Sequence, residues 1–196
     1  YFSNAQWKNR YPKVDGYGHH VYLEGYELPV LSSGPMDPAP SPMNDKVVFS
    51  AKGWLWIMDL KTFEATRITT SKGIDSRPNW SPDGNQIVFV RDDSADTEIV
   101  TLDLISNKET VIIDTDAIDL DPVFSKDGKS IYYASAKNGS FYLWQLDLTT
   151  MASKVITQGG TLERLPVPTN QGDHIVYLKK KGFSYCLLYT SPSPRD

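Results

Sequence analysis

The 196-residue chain carries 20 Lys and Arg against 24 Asp and Glu, for a formal net charge of −4 and a pI near 5.4. That balance argues against nucleic acid or an anionic membrane as the main partner, since both are bound through basic patches. No apolar run is long enough for a transmembrane helix, and the single cysteine, Cys186, excludes an intrachain disulfide and any CxxC metal or redox motif.

Residues 1–36 read as a leader with partial or closing strands, and because the chain starts at Tyr1 the natural N-terminus is expected upstream. From Asp37 onward the chain repeats. The first unit runs Asp37-Pro-Ala-Pro-Ser-Pro, Val47-Val-Phe49, Trp56-Ile-Met-Asp59-Leu60 and Thr66-Arg-Ile-Thr69. The second runs Arg77-Pro-Asn-Trp-Ser-Pro-Asp-Gly, Ile87-Val-Phe89, Val100-Thr-Leu-Asp103-Leu104 and Thr110-Val-Ile-Ile113. The third runs Asp121-Pro-Val-Phe-Ser-Lys-Asp-Gly, Ile131-Tyr-Tyr133, Trp144-Gln-Leu-Asp147-Leu148 and Lys154-Val-Ile-Thr157. A fourth opens with Leu165-Pro-Val-Pro-Thr-Asn-Gln-Gly and Ile175-Val-Tyr177. The lead prolines at 38, 78, 122 and 166 are 40, 44 and 44 residues apart, and the strand aromatics keep the same intervals.

Each unit reads as four short strands. In the Ser-Pro-Asp-Gly turn, Pro pre-sets a negative φ, Asp bonds its own backbone, and Gly supplies the positive φ. Four strands in roughly 40 to 45 residues mark a propeller blade. A sandwich would not make every fourth strand repeat the same words. The expected fold is therefore all-β: a partial β-propeller of about three and a half four-stranded antiparallel blades, at 37–72, 73–116, 117–160 and, in part, 161–185. Without sustained 3.6-residue periodicity, helices should be nearly absent. Trp54, Trp56, Trp80, Phe89, Phe124, Tyr133 and Trp144 should pack between blades. Trp80→Ala is expected to cost about 3–5 kcal/mol, as for a buried aromatic.

The words Pro-x-Trp-Ser-Pro-Asp-Gly, Ile-x-Phe and x-Asp-Leu, clearest at 77–104, resemble the repeats of TolB and tricorn-protease-type propellers over about 37–180. Blade one departs with Met43-Asn-Asp at the turn, and blade four with Pro168 and Asn170-Gln-Gly. Tyr11-Pro-Lys-Val-Asp-Gly-Tyr-Gly-His-His, Gly34-Pro-Met-Asp-Pro-Ala-Pro-Ser-Pro, Asp75-Ser-Arg-Pro and Val90-Arg-Asp-Asp are similar to the region opening the propeller of bacterial amidohydrolases. The end, Cys186 to Asp196, breaks the repeat with Ser-Pro-Ser-Pro, resembles a translated sequencing adapter, and is expected to be non-native.

No catalytic constellation is visible. His19 and His20 are adjacent, so in a strand they face opposite ways and cannot form a His-x-His metal pair. His174 stands apart, Gly-x-Ser-x-Gly is absent, and Ser81 and Ser125 belong to repeat turns. The loop Arg91 to Glu98 holds four acids but lacks the glycine and spacing of a calcium loop. No metal or other cofactor is expected in this segment. The remaining candidates are charges entering the inner strands: Asp75 and Arg77, Asp119 and Asp121, Glu163 and Arg164. They could ring one channel mouth as a binding funnel, or pair between neighbouring blades. The pairing reading is the stronger of the two.

The resemblance implies a non-catalytic propeller segment of a larger protein, a substrate-gating or partner-binding module of an amidohydrolase-type hydrolase. The alternatives are a TolB-like cell-envelope scaffold and the propeller of a tricorn or prolyl-oligopeptidase-type peptidase. Expected partners are a protein or peptide on the propeller face, or a hydrolase domain following in the same chain, with no nucleic acid and no membrane insertion. The resemblance places the protein in the periplasm. Alone, such a chain should associate or be poorly soluble, because an open ring leaves strand edges unpaired.

Overall fold

The computed structural model describes residues 31–32, 34–93, 97–158, 162–181 and 184–190. The words at Tyr11–His20, including His19 and His20, lie outside them. The described residues form fifteen strands and no helix. The first sheet is β1 (Met36–Pro40), β2 (Lys46–Ala51), β3 (Trp54–Asp59) and β4 (Ala65–Arg67). The second is β5 (Ile74–Trp80), β6 (Gln86–Asp92), β7 (Thr97–Asp103) and β8 (Lys108–Ile113). The third is β9 (Asp119–Phe124), β10 (Ser130–Ser135), β11 (Tyr142–Asp147) and β12 (Ser153–Val155). The fourth is β13 (Glu163–Pro168), β14 (Ile175–Lys181) and β15 (Ser184–Thr190).

Each sheet is an antiparallel meander whose order in space is its order in sequence. Successive sheets pack face to face, and among the described residues the fourth makes no extended contact with the first, so these four sheets do not close a ring. The fold is the expected all-β partial propeller. β15 pairs with β14 from Lys181↔Ser184 to Ile175↔Thr190, so this ladder runs through position 186.

The turns follow from their side chains. Ser81 donates to Asp83 Oδ1 at 2.5 Å and accepts from Gln86 N at 2.9 Å, while Gly84 takes φ 74°. Ser125, Asp127 and Gly128 repeat this arrangement. The two departing turns close by a compensating swap, with the carboxylate moved to the far side of the turn. Ser41 donates to Asp45 Oδ1 at 2.8 Å, and Thr169 to Asp173 Oδ1 at 2.9 Å. Asn44, at φ 55°, replaces the glycine of blade one, as a residue tolerant of the left-handed region.

The Asp-Leu words have a similar cause. Asp59 Oδ1 accepts from the backbone N–H of Lys61 and Thr62, Asp103 Oδ1 from Ile105 and Ser106, and Asp147 Oδ1 from Thr149 and Thr150. Each carboxylate thereby holds the hairpin between its blade's third and fourth strands.

The core lies between sheets. Val48 and Leu55 of the first pack with Ile87, Phe89 and Val100 of the second. Val88 and Ile99 pack with Ile131, Tyr133 and Trp144 of the third, and Leu120, Phe141 and Leu143 with Ile175 and Tyr177 of the fourth. Phe89, Phe124, Tyr133 and Trp144 are buried, whereas Trp54, Trp56 and Trp80 are half-buried. Trp80 instead reaches across the seam, donating its Nε1–H to the Ala39 carbonyl at 3.0 Å. Its incomplete burial lowers the expected cost of Trp80→Ala to about 2–3 kcal/mol.

Candidate functional site

The innermost strands β1, β5, β9 and β13 share one irregularity. Each slips register at its lead Xaa-Pro pair, forming a β-bulge. The residue before proline has a left-handed backbone in all four: Asp37 (φ 52°), Arg77 (φ 52°), Asp121 (φ 55°) and Leu165 (φ 54°). A side chain makes that conformation costly, and a following proline disfavours helical geometry further. Four such residues in register mean that the packed sheets impose the bend.

The bend turns backbone donors toward the neighbouring blade. Arg77 N–H donates to Asp37 Oδ2 at 3.1 Å, and Leu165 N–H donates to Asp121 Oδ2 at 3.1 Å. Side chains add a second connection. Arg77 Nη1 meets Asp121 Oδ1 at 2.5 Å, and Arg164 Nε meets Asp121 Oδ2 at 2.6 Å. One carboxylate in blade three thus joins guanidiniums from blades two and four. Burial pushes the Asp121 carboxyl up from its ordinary value, and the Arg77 guanidinium opposes that push. Arg164 also lies over the Phe141 ring, 5.0 Å from its centroid.

The other three candidates sit elsewhere. Asp75, Asp119 and Glu163 are fully buried, each directly paired across the ladder with position 91, 135 or 179. Arg91 Nε meets Asp75 Oδ1 at 2.8 Å, and Lys179 Nζ meets Glu163 Oε1 at 2.9 Å. Blade three has Ser135 at the cation position, and Asp119 accepts from the Thr115 hydroxyl at 2.5 Å. Lys137 lies nearby, its ammonium 3.5 Å from the Trp144 ring centroid, with its pKa lowered by desolvation against the opposing charge of Asp119.

The six candidates therefore divide. Arg77, Asp121 and Arg164 come together in a belt across three blades, while Asp75, Asp119 and Glu163 are held inside their own blades. Asp75-Ser-Arg-Pro and Val90-Arg-Asp-Asp meet through the Asp75–Arg91 pair. Sequence reasoning passed over Asp37 and Leu165, although both stand immediately before a lead proline. It also passed over the 91, 135, 179 series, which repeats at 44 residues.

The inner strands enclose a cleft of about 280 Å³, lined by Asp37, Ala39, Arg77, Asn79, Asp121, Leu165 and Val167 together with the lead prolines 38, 78 and 166. Leu165 and Val167 are 47% and 58% exposed, so the cleft offers apolar surface beside hydrogen-bonding groups. Among the described residues no three His, Cys, Asp or Glu side chains are grouped to hold a metal ion. His174 pairs with Asp173 at 3.0 Å in a turn, and residues 94–96 of the acidic loop lie outside the described set. No helix among the described residues is long and apolar enough to cross a membrane.

Four-stranded meanders packed face to face, with their first strands around a shared cleft, define a β-propeller. The chain belongs to the TolB beta propeller domain family, whose model matches residues 13–191. The Tol-Pal system protein TolB of Francisella tularensis subsp. mediasiatica is 35% identical over 81 residues, covering 38% of this chain and 17% of that protein. The chain thus matches only a small part of its curated relatives. The crystal structure of TolB from Acinetobacter baumannii superposes with a TM-score of 0.75 at 22% identity, over 81% of this chain and 41% of that one. An oligogalacturonate lyase from Vibrio parahaemolyticus gives a TM-score of 0.65 at 11% identity, over 81% and 51%. At these identities the structures establish the fold alone.

Proposed function

We propose that this chain is a non-catalytic propeller segment of a larger protein and binds a protein or peptide ligand along its inner-strand cleft. The observation that carries this reading is the cleft itself: exposed Leu165 and Val167 lie beside Asp37 and Arg77, on strands fixed by four bulges. Apolar surface flanked by a few placed polar groups is what ligand sites offer. Membership of the TolB propeller family supports a role in protein contacts, and a place in the cell envelope goes with it. The test is a peptide-display selection on the immobilised chain. Selected peptides should bind Val167→Glu about tenfold more weakly and should be indifferent to Val111→Glu on the outer strand β8. Peptides that bind both variants equally would remove the cleft from consideration.

A second reading is substrate gating for an amidohydrolase-type domain following in the same polypeptide. The observation favouring it is the Arg77–Asp121–Arg164 belt, which borders the cleft as a filter would. In this reading all six charges, Asp75, Asp119 and Glu163 included, set the charge of the channel mouth. Sequencing the locus downstream decides it. A His-x-His strand in a following domain supports the gate, Gly-x-Ser-x-Gly points to a peptidase, and further blades followed by a stop leave the scaffold.

A further inference from the structure

The seam between blades one and two repeats the seam between blades three and four in its backbone but not in its side chains. Asp75 N–H donates to the Gly53 carbonyl at 3.0 Å, as Glu163 N–H does to the Phe141 carbonyl at 3.1 Å. Arg77 N–H donates to Asp37 Oδ2 at 3.1 Å, as Leu165 N–H does to Asp121 Oδ2 at 3.1 Å. Asp37 therefore corresponds to Asp121, Gly53 to Phe141, and Ser76 to Arg164. Ser76 and Arg164 sit opposite Val90 and Leu178 in their ladders, each just ahead of the bulge, so their side chains leave the strand on the same side.

At the later seam Arg164 lays its guanidinium over the Phe141 ring and meets Asp121 Oδ2 at 2.6 Å. At the earlier seam both large groups are replaced, the arginine by Ser76 and the phenylalanine by Gly53, while the carboxylate is kept. Asp37 is exposed and lines the cleft. It accepts on Oδ2 alone, from Arg77 N–H and, at 3.4 Å, from the Ser50 hydroxyl, and among the described residues it has no ion pair. The Ser76 hydroxyl is buried without a hydrogen-bond partner. Leu31, 69% exposed, stands over Gly53, where a Cβ would lie 3.2 Å from its Cδ1. A carboxylate, a hydroxyl oxygen and an apolar wall are the surroundings a guanidinium needs: two acceptors for its N–H groups and a surface for its flat face.

We infer that the seam between blades one and two is a cation subsite of the cleft, seating the guanidinium of an arginine in a peptide ligand on the Asp37 carboxylate. The ligand supplies at this seam the group that Arg164 supplies from within the chain two seams on. Leu165 and Val167 lie along the same cleft and take the ligand's apolar neighbours. This inference rests on the cleft reading given above and adds the chemistry of the occupant.

The test uses the full 196-residue chain, nitrogen-15 labelled, titrated with acetyl-Gly-Arg-Gly-amide and, separately, with the same peptide carrying citrulline, the neutral isostere of arginine. The arginyl peptide should shift the Asp37, Ser76 and Arg77 amide resonances saturably, with an affinity about tenfold above that of the citrullinyl peptide and falling with salt. Ser76→Arg supplies the guanidinium internally and should abolish those shifts. Asp37→Asn keeps an acceptor for the Arg77 N–H, tolerates the left-handed backbone and removes only the charge, so it decides the matter if Ser76→Arg fails to fold. Equal response to both peptides, shifts confined to other residues, or undiminished arginyl-peptide binding by folded Asp37→Asn would each overturn the inference. If displayed peptides depend on Val167 while the arginyl probe gives no response, the subsite is wrong and the cleft reading stands. If no displayed peptide depends on the cleft, that reading falls, and the subsite is still judged by the arginyl titration.

Discussion

Phe63, Asn107 and Met151 occupy the same place in successive blades, four residues after the aspartate that ends the third strand. All three have a left-handed backbone, with φ of 59°, 56° and 57°. Asparagine visits that region readily, but phenylalanine and methionine meet a steric cost of about 1–2 kcal/mol. Phe63 is 73% exposed, so its ring recovers little by packing. Phe63→Asn should therefore stabilise the chain by about 0.5–1 kcal/mol, or roughly 2–4 °C in melting temperature per kcal/mol for a chain of this size. Thermal melting checks it, and an unchanged or lower Tm would mean the ring has a contact that offsets the strain. Acid sensitivity is also set residue by residue. Asp59, Asp103 and Asp147 are held below the ordinary carboxylate value by backbone N–H bonds, Asp83 and Asp127 by the hydroxyls of Ser81 and Ser125, and Asp173 by His174. A lowered folded-state pKa means the folded chain binds fewer protons than the unfolded one. Their stabilisation is complete above the unfolded value, near 3.8, and is lost as pH falls through the lower folded values. Tm should drop steeply below that point. Asp83→Asn with Asp127→Asn should flatten the drop, and an identical acid limb in the variant would show that these carboxylates do not set it.

Strands were legible in the sequence because their determinants are local. Alternating apolar residues, an aspartate that binds the next backbone N–H groups, and a glycine or asparagine at the turn each act within a few positions. Trp80 was harder to place, since strand alternation assigns a face but not how fully the neighbouring blade covers it. The bulges were invisible for a different reason. Nothing in Asp-Pro, Arg-Pro or Leu-Pro requires a left-handed backbone, and local preference argues against it. Contacts between sheets impose it. The candidate charges split on the same line: their 44-residue spacing was readable, but which acid pairs inside a blade and which across a seam depends on the bulge that turns Arg77, Asp121 and Leu165 toward their neighbours. The seam also tells which carboxylate matters most. Asp121→Asn removes one buried charge and leaves two guanidiniums in near contact, which should cost about 3 kcal/mol, at the low end for a broken buried pair because Arg77 is partly hydrated. Asp37→Asn, at an exposed position, should cost under about 1 kcal/mol. Urea denaturation compares them, and equal losses would mean the belt does not hold the blades together.

Across the whole molecule, one cross-strand pair recurs in each of the first three sheets: Phe49↔Trp56, Phe89↔Val100 and Tyr133↔Trp144. In the second and third sheets it packs back onto the sheet before it and is buried. In the first sheet no described sheet precedes it, and Phe49 and Trp56 are only half-buried. The pair has the composition of a blade interface without a described blade against it. An aromatic sheet face left in this condition favours association. The 196-residue chain on its own should sediment as concentration-dependent oligomers, and Phe49→Ser with Trp56→Ser should shift it toward monomer without loss of strand content in far-UV circular dichroism. Sedimentation velocity with parallel thermal melting decides the point. A monomer that melts cooperatively would mean that residues outside the described set cover this face, and the variant should then lower the melting temperature instead of the sedimentation coefficient.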